Sequence, residues 1–279
     1  MSTVPLPRTA RLDIEDRRYE VDLAGVHDLA IALDFNGTQP AWFGGPPARR
    51  VPLVLGSFSG RVDRGSSCNC STLSVTPHCD GTHTECVGHL TMEHLDARTV
   101  VPVGFLPAAL LSVAPAAAGA TREGSRPPCH GQDLLITAAA LRRAWPQAPD
   151  FPPSALIVRT LPNPALKRTR DYRAQPAPYL SLQAAQLLVE RGIEHLVLDV
   201  PSADRADDDG QLSAHRVFFG LDPGETALAA ARRPQCTITE LAYVDSAATD
   251  GAYLLSLQIP AFGGDAVPSR PLLYPVRAL

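Results

Sequence analysis

Between positions 78 and 89 the chain reads His-Cys-Asp-Gly-Thr-His-Thr-Glu-Cys-Val-Gly-His, which places three imidazoles and two carboxylates in twelve residues. Neutral imidazole nitrogen and carboxylate oxygen are the usual ligands of Zn²⁺ and related divalent ions, and catalytic sites leave one position for water. His83 and Glu85 are two apart, so on an extended segment both side chains point to one face and can close on a single ion. His89 lies six residues beyond His83, after a glycine that permits close chain approach. An imidazole there, beside the ion but not on it, suits a general acid or base, because its unperturbed pKa is near neutrality. On spacing alone His89 also reads as a third ligand or a buried hydrogen-bonded histidine. The competing reading of the whole stretch is a polar loop with scattered histidines, His94 among them.

The landmarks continue outside this loop. Trp42 lies in QPAWFGGPP, Glu190 to Asp204 reads ERGIEHLVLDVPSAD, His215 lies in SAHRVFFG, and Glu240 lies in TITELAYV. Together with Gly81, Thr82, His83 and His89, these segments resemble the metal-dependent cyclase family, which includes bacterial kynurenine formamidases and is marked by His-x-Gly-Thr-His-x-Asp-x-x-x-His. The similarity runs from about residue 27 to the C-terminus with the order of landmarks kept. It implies metal ligation by His78, His83, Glu85, His215 and Glu240, acid–base work by His89, and a substrate pocket to which Trp42 contributes. Independently, a carboxylate such as Glu240 in an apolar segment needs a cation, a hydrogen-bond network or a metal partner, since burying it unpaired is costly.

Two departures from the family pattern stand out. Glu85 occupies the place of the usual Asp, which lengthens that arm by one methylene. The family's first histidine precedes the Gly-Thr-His histidine by four residues, whereas His78 precedes His83 by five, and Cys79 holds the four-residue place. A bulge that returns His78, a Cys79 thiolate, or a missing first ligand are all consistent with this spacing, since thiolate is a competent zinc ligand. The interval from His215 to Glu240 is also long, with room for an insertion around GLDPGETALAAARR, which bears on a two-ion site more than on a one-ion site.

The resemblance implies a hydrolase that acts on an amide, such as an N-formyl aryl amide, through a divalent ion, zinc first and manganese next. It also admits lactone or cyclic-amide hydrolysis, a dehydrating cyclisation, or a non-catalytic binding protein with a degenerate metal site. It further implies a homodimer or dimer of dimers. The expected partner is a small-molecule substrate. A net charge of −4 gives no basic footprint for nucleic acid, and no apolar run reaches membrane-spanning length. The N-terminus lacks an apolar core of signal-peptide type, so the expected location is the cytoplasm. Six cysteines, none in paired Cys-x-x-Cys spacing, read as reduced thiols; Cys86, Cys129 and Cys236 read as packing residues.

The elements that must hold these groups point to an α/β fold in one domain over 1–279, with an N-terminal hairpin extension at 1–26 and the family-like core at 27–279. Such a chain is long enough to bury a sizeable core. The family resemblance makes the sheet mixed, β-rich and barrel-like with flanking helices, the swivelling β/β/α type. Arg11 to Asp22 suggests a hairpin, His27 to Leu33 and Val51 to Leu55 suggest strands, and Ser71 to Thr76 suggests a strand delivering the histidine-rich loop. Ala155 to Leu161 and Leu196 to Val200 read as buried central strands. Between them Leu182 to Arg191 has helical spacing, with Ser181 as N-cap and Gly192 as stop. Strand, helix, strand implies a parallel pair with a right-handed crossover. Val113 to Arg126 reads as an irregular surface connection, Tyr253 to Ile259 as a late strand, and Asp207 to Gly210 as a solvated turn.

Overall fold

The computed structural model describes residues 7–145, 149 and 151–279; the first six residues of the N-terminal segment lie outside them. In chain order the elements are β1 (Thr9–Ile14), β2 (Arg17–Asp22), β3 (His27–Asp28), β4 (Arg49–Pro52), β5 (Ser71–Ser74), β6 (His83–Cys86), α1 (Ala97–Val100), β7 (Leu106–Val113), β8 (Ala116–Ala117), β9 (Leu134–Ile136) and α2 (Ala138–Ala144). They continue with β10 (Ala155–Thr160), β11 (Tyr179–Leu180), α3 (Leu182–Glu190), β12 (His195–Leu198), α4 (Ser213–Phe219), β13 (Thr237–Glu240), β14 (Gly251–Gln258), β15 (Ala266–Pro268) and β16 (Arg270–Ala278).

Among the described residues one mixed sheet of eleven strands dominates, in the order β1-β2-β16-β14-β7-β10-β12-β13-β6-β15, with β3 paired to β16. Its centre, β7-β10-β12-β13, is parallel, and antiparallel strands flank it on both sides. Parallel strands are covered on both faces and therefore read as continuous apolar runs. Along β10, Leu156 and Val158 join the core beneath α2, α3 and α4, while Ala155 and Ile157 join a second core on the opposite face with Leu110, Val197 and Leu255. Each such fully buried Leu, Ile or Val side chain contributes about 1.5–3 kcal/mol. The result is a mixed α/β domain, mostly sheet with few helices.

α3 follows from its caps. The Ser181 hydroxyl accepts the Ala184 amide at 2.9 Å, and Gly192 adopts φ +72, the left-handed conformation that ends helices without a Cβ penalty. β10 and β12, joined through α3, are parallel neighbours, as the strand-helix-strand order implies. Other segments differ from the sequence expectation. The strand expected at 27–33 is only two residues long, because Ala30 bridges to Ala242 and the Ile31 amide donates to the Thr82 hydroxyl instead of continuing a ladder. The runs at 51–55 and 71–76 become β4 and β5, an exposed two-stranded ribbon outside the main sheet. Asp208 in the expected solvated turn is turned inward, where its carboxylate accepts the Gly210 and Leu212 amides. No helix of the described residues is long and apolar enough to cross a membrane.

Candidate functional site

β6 lies between β13 and β15, and this register assembles half the site. Glu240 stands opposite His83, and both Ile238 and Ala266 stand opposite Glu85. His83 and Glu85 share a face of β6 by the strand's period of two and are fully buried. The approach to the strand is fixed by Thr82, whose hydroxyl donates to the Leu241 carbonyl and accepts from the Ile31 amide. Gly81 is required there: it has φ +86, and a Cβ would stand 2.8 Å from Leu33 Cδ2. His83 Nδ1 is 3.0 Å from the Gly81 carbonyl oxygen. A carbonyl only accepts, so Nδ1 carries the hydrogen and Nε2 faces inward, 3.4 Å from Glu240 Oε2.

α4 supplies His215 from its first turn. Asp204, in the loop after β12, accepts the amides of Ala214 (2.8 Å) and His215 (3.0 Å), which are among the orphan donors of a helix start. The same carboxylate takes His215 Nδ1 at 2.7 Å. Nε2 is thereby aimed at Glu85 Oε1 (2.8 Å) and Glu240 Oε1 (3.4 Å). Glu240 Oε1 is itself held by the Ala203 amide at 2.6 Å.

His78 arrives through a tight turn in which the Cys79 and Asp80 amides both donate to the Thr76 carbonyl at 2.9 Å. The extra residue is absorbed in this turn, and His78 Nε2 comes to 3.4 Å from Glu85 Oε2 and 3.2 Å from Asp265 Oδ2. Cys79 lies against Gly45, where an added Cβ would stand 3.1 Å from its sulfur, and it belongs to neither group of clustered ligand atoms among the described residues. Burial pushes its thiol pKa up. His89 lies in a short 3₁₀ turn, Val87–Leu90, with its ring stacked on His78 at 4.3 Å between centroids and Nδ1 3.3 Å from Asp265 Oδ2. His94 is exposed and pairs with Asp96, away from the cluster.

The groups form an alternating series, His83, Glu240, His215, Glu85, His78, Asp265, His89, in which each carboxylate lies between two imidazoles. Burial opposes the charged imidazole of His215, but Glu85, Asp204 and Glu240 outweigh it and hold its pKa well above the ordinary value. Burial likewise opposes charge on His78, yet Asp265 and Glu85 push it up to about 10. Glu85, despite complete burial, is held well below the usual carboxylate range by His215 and His89. The cluster therefore demands positive charge at its centre. His78 Nε2, His83 Nε2, His215 Nε2 and both Glu85 oxygens are buried without a hydrogen-bond partner, an arrangement that is expensive unless a cation meets them. The ligand atoms of His83, Glu85 and Glu240 lie within 4.8 Å of one another, as do those of His78, His89 and Asp265. These residues fit a divalent metal.

A cavity of about 380 Å³ opens onto the cluster, lined also by Trp42, Phe43, Cys79, Arg205 and Leu212. Trp42 is buried against Tyr172 and Leu241, while its neighbour Phe43 is exposed at the rim. All seven expected site residues, Trp42, His78, His83, Glu85, His89, His215 and Glu240, thus gather at one place. Asp204, named in the sequence only as the end of a family-like segment, and Asp265, not singled out at all, complete the cluster. The only local sign of Asp265 is a Gly-Gly-Asp bend before an apolar run, which reads as an ordinary turn.

This is a mixed-sheet α/β domain built around a buried imidazole–carboxylate centre at the edge of a ligand-sized cavity. The chain belongs to the cyclase family, whose family model, described as "Putative cyclase", matches residues 27–205. A comparison with curated proteins finds no significant match. Among solved structures, an isatin hydrolase bound to the product analogue thioisatinate is similar at TM-score 0.58 and 14% identity, covering 91% of this chain and 93% of the other. Isatin hydrolase A from Ralstonia solanacearum matches at 0.58 and 14%, covering 89% and 91%. A "predicted metal-dependent hydrolase from Bacillus stearothermophilus" matches at 0.54 and 17%, covering 89% and 97%. At these identities the likeness is one of fold.

Proposed function

We propose that the protein is a metal-dependent hydrolase of aryl amides, with an N-formyl aryl amide such as N-formylkynurenine as the leading substrate class. The observation that carries this reading is the set of inward-pointing nitrogen and oxygen atoms on His78, His83, Glu85 and His215 that have no hydrogen-bond partner in a buried place. With Glu240 they are the ligand set, and zinc, then manganese, suits their nitrogen and oxygen donors. When bound, the ion supplies Lewis acidity that polarises an amide carbonyl and acidifies water. The protein's own contribution is orientation. Asp204 and the Gly81 carbonyl fix the tautomers of His215 and His83, the outer-shell arrangement typical of metal-binding imidazoles. Trp42 offers a flat apolar wall against which an aryl ring can stack. His89, on the cavity wall, donates a proton to the departing nitrogen, a step typically worth roughly 10²–10⁴-fold in rate.

A cyclic aryl amide is the second reading, favoured by the isatin hydrolases among the similar structures. Both substrates present an amide whose nitrogen is bonded to a benzene ring, so one cavity and one proton donor serve either. The test is turnover of N-formylkynurenine and of isatin by protein loaded with zinc or manganese, with His89→Ala in parallel. The reading expects one substrate to be turned over, and His89→Ala to keep its metal while losing most of that activity. Absence of turnover on both substrates in protein with full metal content would refute it.

A further inference from the structure

Asp265 lies between the two rings nearest the cavity but does not treat them alike. Its Oδ2 accepts a hydrogen bond from His89 Nδ1 at 3.3 Å, whereas His78 Nε2, at 3.2 Å, is out of hydrogen-bond geometry and remains without a partner. The position of Asp265 is fixed by backbone. Its carbonyl accepts the Cys86 amide at 3.0 Å, the next residue pairs with Glu85, and Gly264 before it is anchored by Asp96. Gly88, just before His89, makes the approach possible: a Cβ there would stand 3.3 Å from the Asp265 Cβ and 2.6 Å from the Leu95 carbonyl oxygen. Removing a side chain where the His89 turn meets the Asp265 bend is what lets carboxylate and ring meet.

We propose that Asp265 is a positioning residue for His89, holding its ring through Nδ1–H so that Nε2 is the nitrogen that exchanges protons with substrate. This rests on the reading of His89 as the proton donor. The carboxylate accepts and cannot donate in its charged form, so the ring nitrogen facing it carries a hydrogen. In the transfer the Nε2–H bond breaks and a bond from that proton to the departing nitrogen forms. The electron pair of the cleaved carbon–nitrogen bond stays on that nitrogen, and the Nδ1–H bond to Asp265 is retained throughout. His89 thereby has the same kind of orienting acceptor that His215 has in Asp204 and His83 has in the Gly81 carbonyl.

The experiment uses zinc-loaded protein with ¹⁵N-labelled histidine, comparing wild type, Asp265→Ala and Asp265→Asn. Long-range ¹H–¹⁵N correlation on the alkaline side of the ring's own titration reads which His89 nitrogen carries the hydrogen. Zinc content and N-formylkynurenine kinetics are measured on the same samples. Wild type is expected to show the Nδ1–H form. Asp265→Ala should keep its zinc, lose that form, and drop kcat roughly 10–100-fold with KM unchanged. Asp265→Asn, whose amide oxygen can still accept, should restore the Nδ1–H form. Loss of zinc in Asp265→Ala would make Asp265 a ligand and overturn the proposal, as would an unchanged tautomer. Wild-type turnover by His89→Ala would sink the proton-donor reading separately, whatever the tautomer shows.

Discussion

Glu85→Gln is the sharpest test of the proposed metal site, because Glu85 is the residue that joins the two halves of the cluster. One oxygen lies 2.8 Å from His215 Nε2 and the other 3.4 Å from His78 Nε2, both without a hydrogen-bond donor in line. Glutamine keeps the volume and removes one negative charge. An ion that binds only the folded chain stabilises it by about 2.7 kcal/mol at a free concentration 100-fold above Kd. For a chain of this size each kcal/mol moves the midpoint by about 2–4 °C, so the wild type should gain about 5–11 °C. Loss of an orienting partner typically costs 10–100-fold in metal affinity, and loss of a central ligand charge should cost at least the upper figure. The same zinc concentration then sits near Kd, where the gain is about 0.4 kcal/mol, about 1–2 °C. The assay is scanning calorimetry of chelator-treated protein with and without zinc or manganese, at fixed protein concentration. An equal ion-dependent rise in Glu85→Gln and wild type, or no rise in wild type at saturation, would refute the assignment of this cluster as a metal site.

His78→Ala should weaken zinc binding and Cys79→Ala should leave it unchanged, since only the imidazole reaches Glu85; titration against a competing chelator reads both, and the opposite order would return the thiolate as ligand. Asp199→Ala should cost about 3–5 kcal/mol in urea unfolding, because it strands the buried Lys167 ammonium that now sits 2.7 Å from Asp199 Oδ2. Asp222→Ala, which breaks the exposed pair with Arg232, should change stability by less than about 1 kcal/mol, and equal costs would contradict the burial argument. Burial pushes the His195 pKa down to about 4. The unfolded chain therefore binds the extra proton between about pH 6.5 and 4, and stability falls as pH drops through that window, by on the order of 3 kcal/mol in total. His195→Gln should flatten the decline between those values, and an unchanged slope would show that another group drives it.

What could be read from the sequence divides along physical lines. Local rules place α3, with Ser181 and Gly192 at its ends, and the buried strands β10 and β12, because caps and apolar runs are properties of adjacent residues. The pairing of His83 with Glu85 is legible for the same reason. His215 and Glu240 are far from that pair in the chain, and resemblance to a family, not spacing, brings them forward. Asp265 is invisible to both approaches, and Asp204, though it ends a segment that carries the resemblance, is given no role by either. Asp204 matters because a helix starts against it, and Asp265 because Ala266 pairs with Glu85. Neither register nor helix docking is written in the local residues. The apolar residues of 51–55 mislead in the other direction, since β4 and β5 expose both faces.

The two departures from the family pattern act on the same point in space. The extra residue before His83 changes how the loop delivers its first imidazole, and the turn at Thr76 to Asp80 spends that residue by directing Cys79 toward Gly45 and His78 toward β6. The longer side chain at position 85 then meets both His78 and His215, one through each oxygen. A carboxylate one methylene shorter would end about 1.5 Å nearer its own strand. From there it would have to give up one of the two rings, and the alternating series would be cut between His215 and His78. Lengthening at position 85 and lengthening of the loop are therefore best understood as one coupled change. It keeps the alternating series of imidazoles and carboxylates unbroken from His83 to His89 while moving the first histidine by one place in the chain.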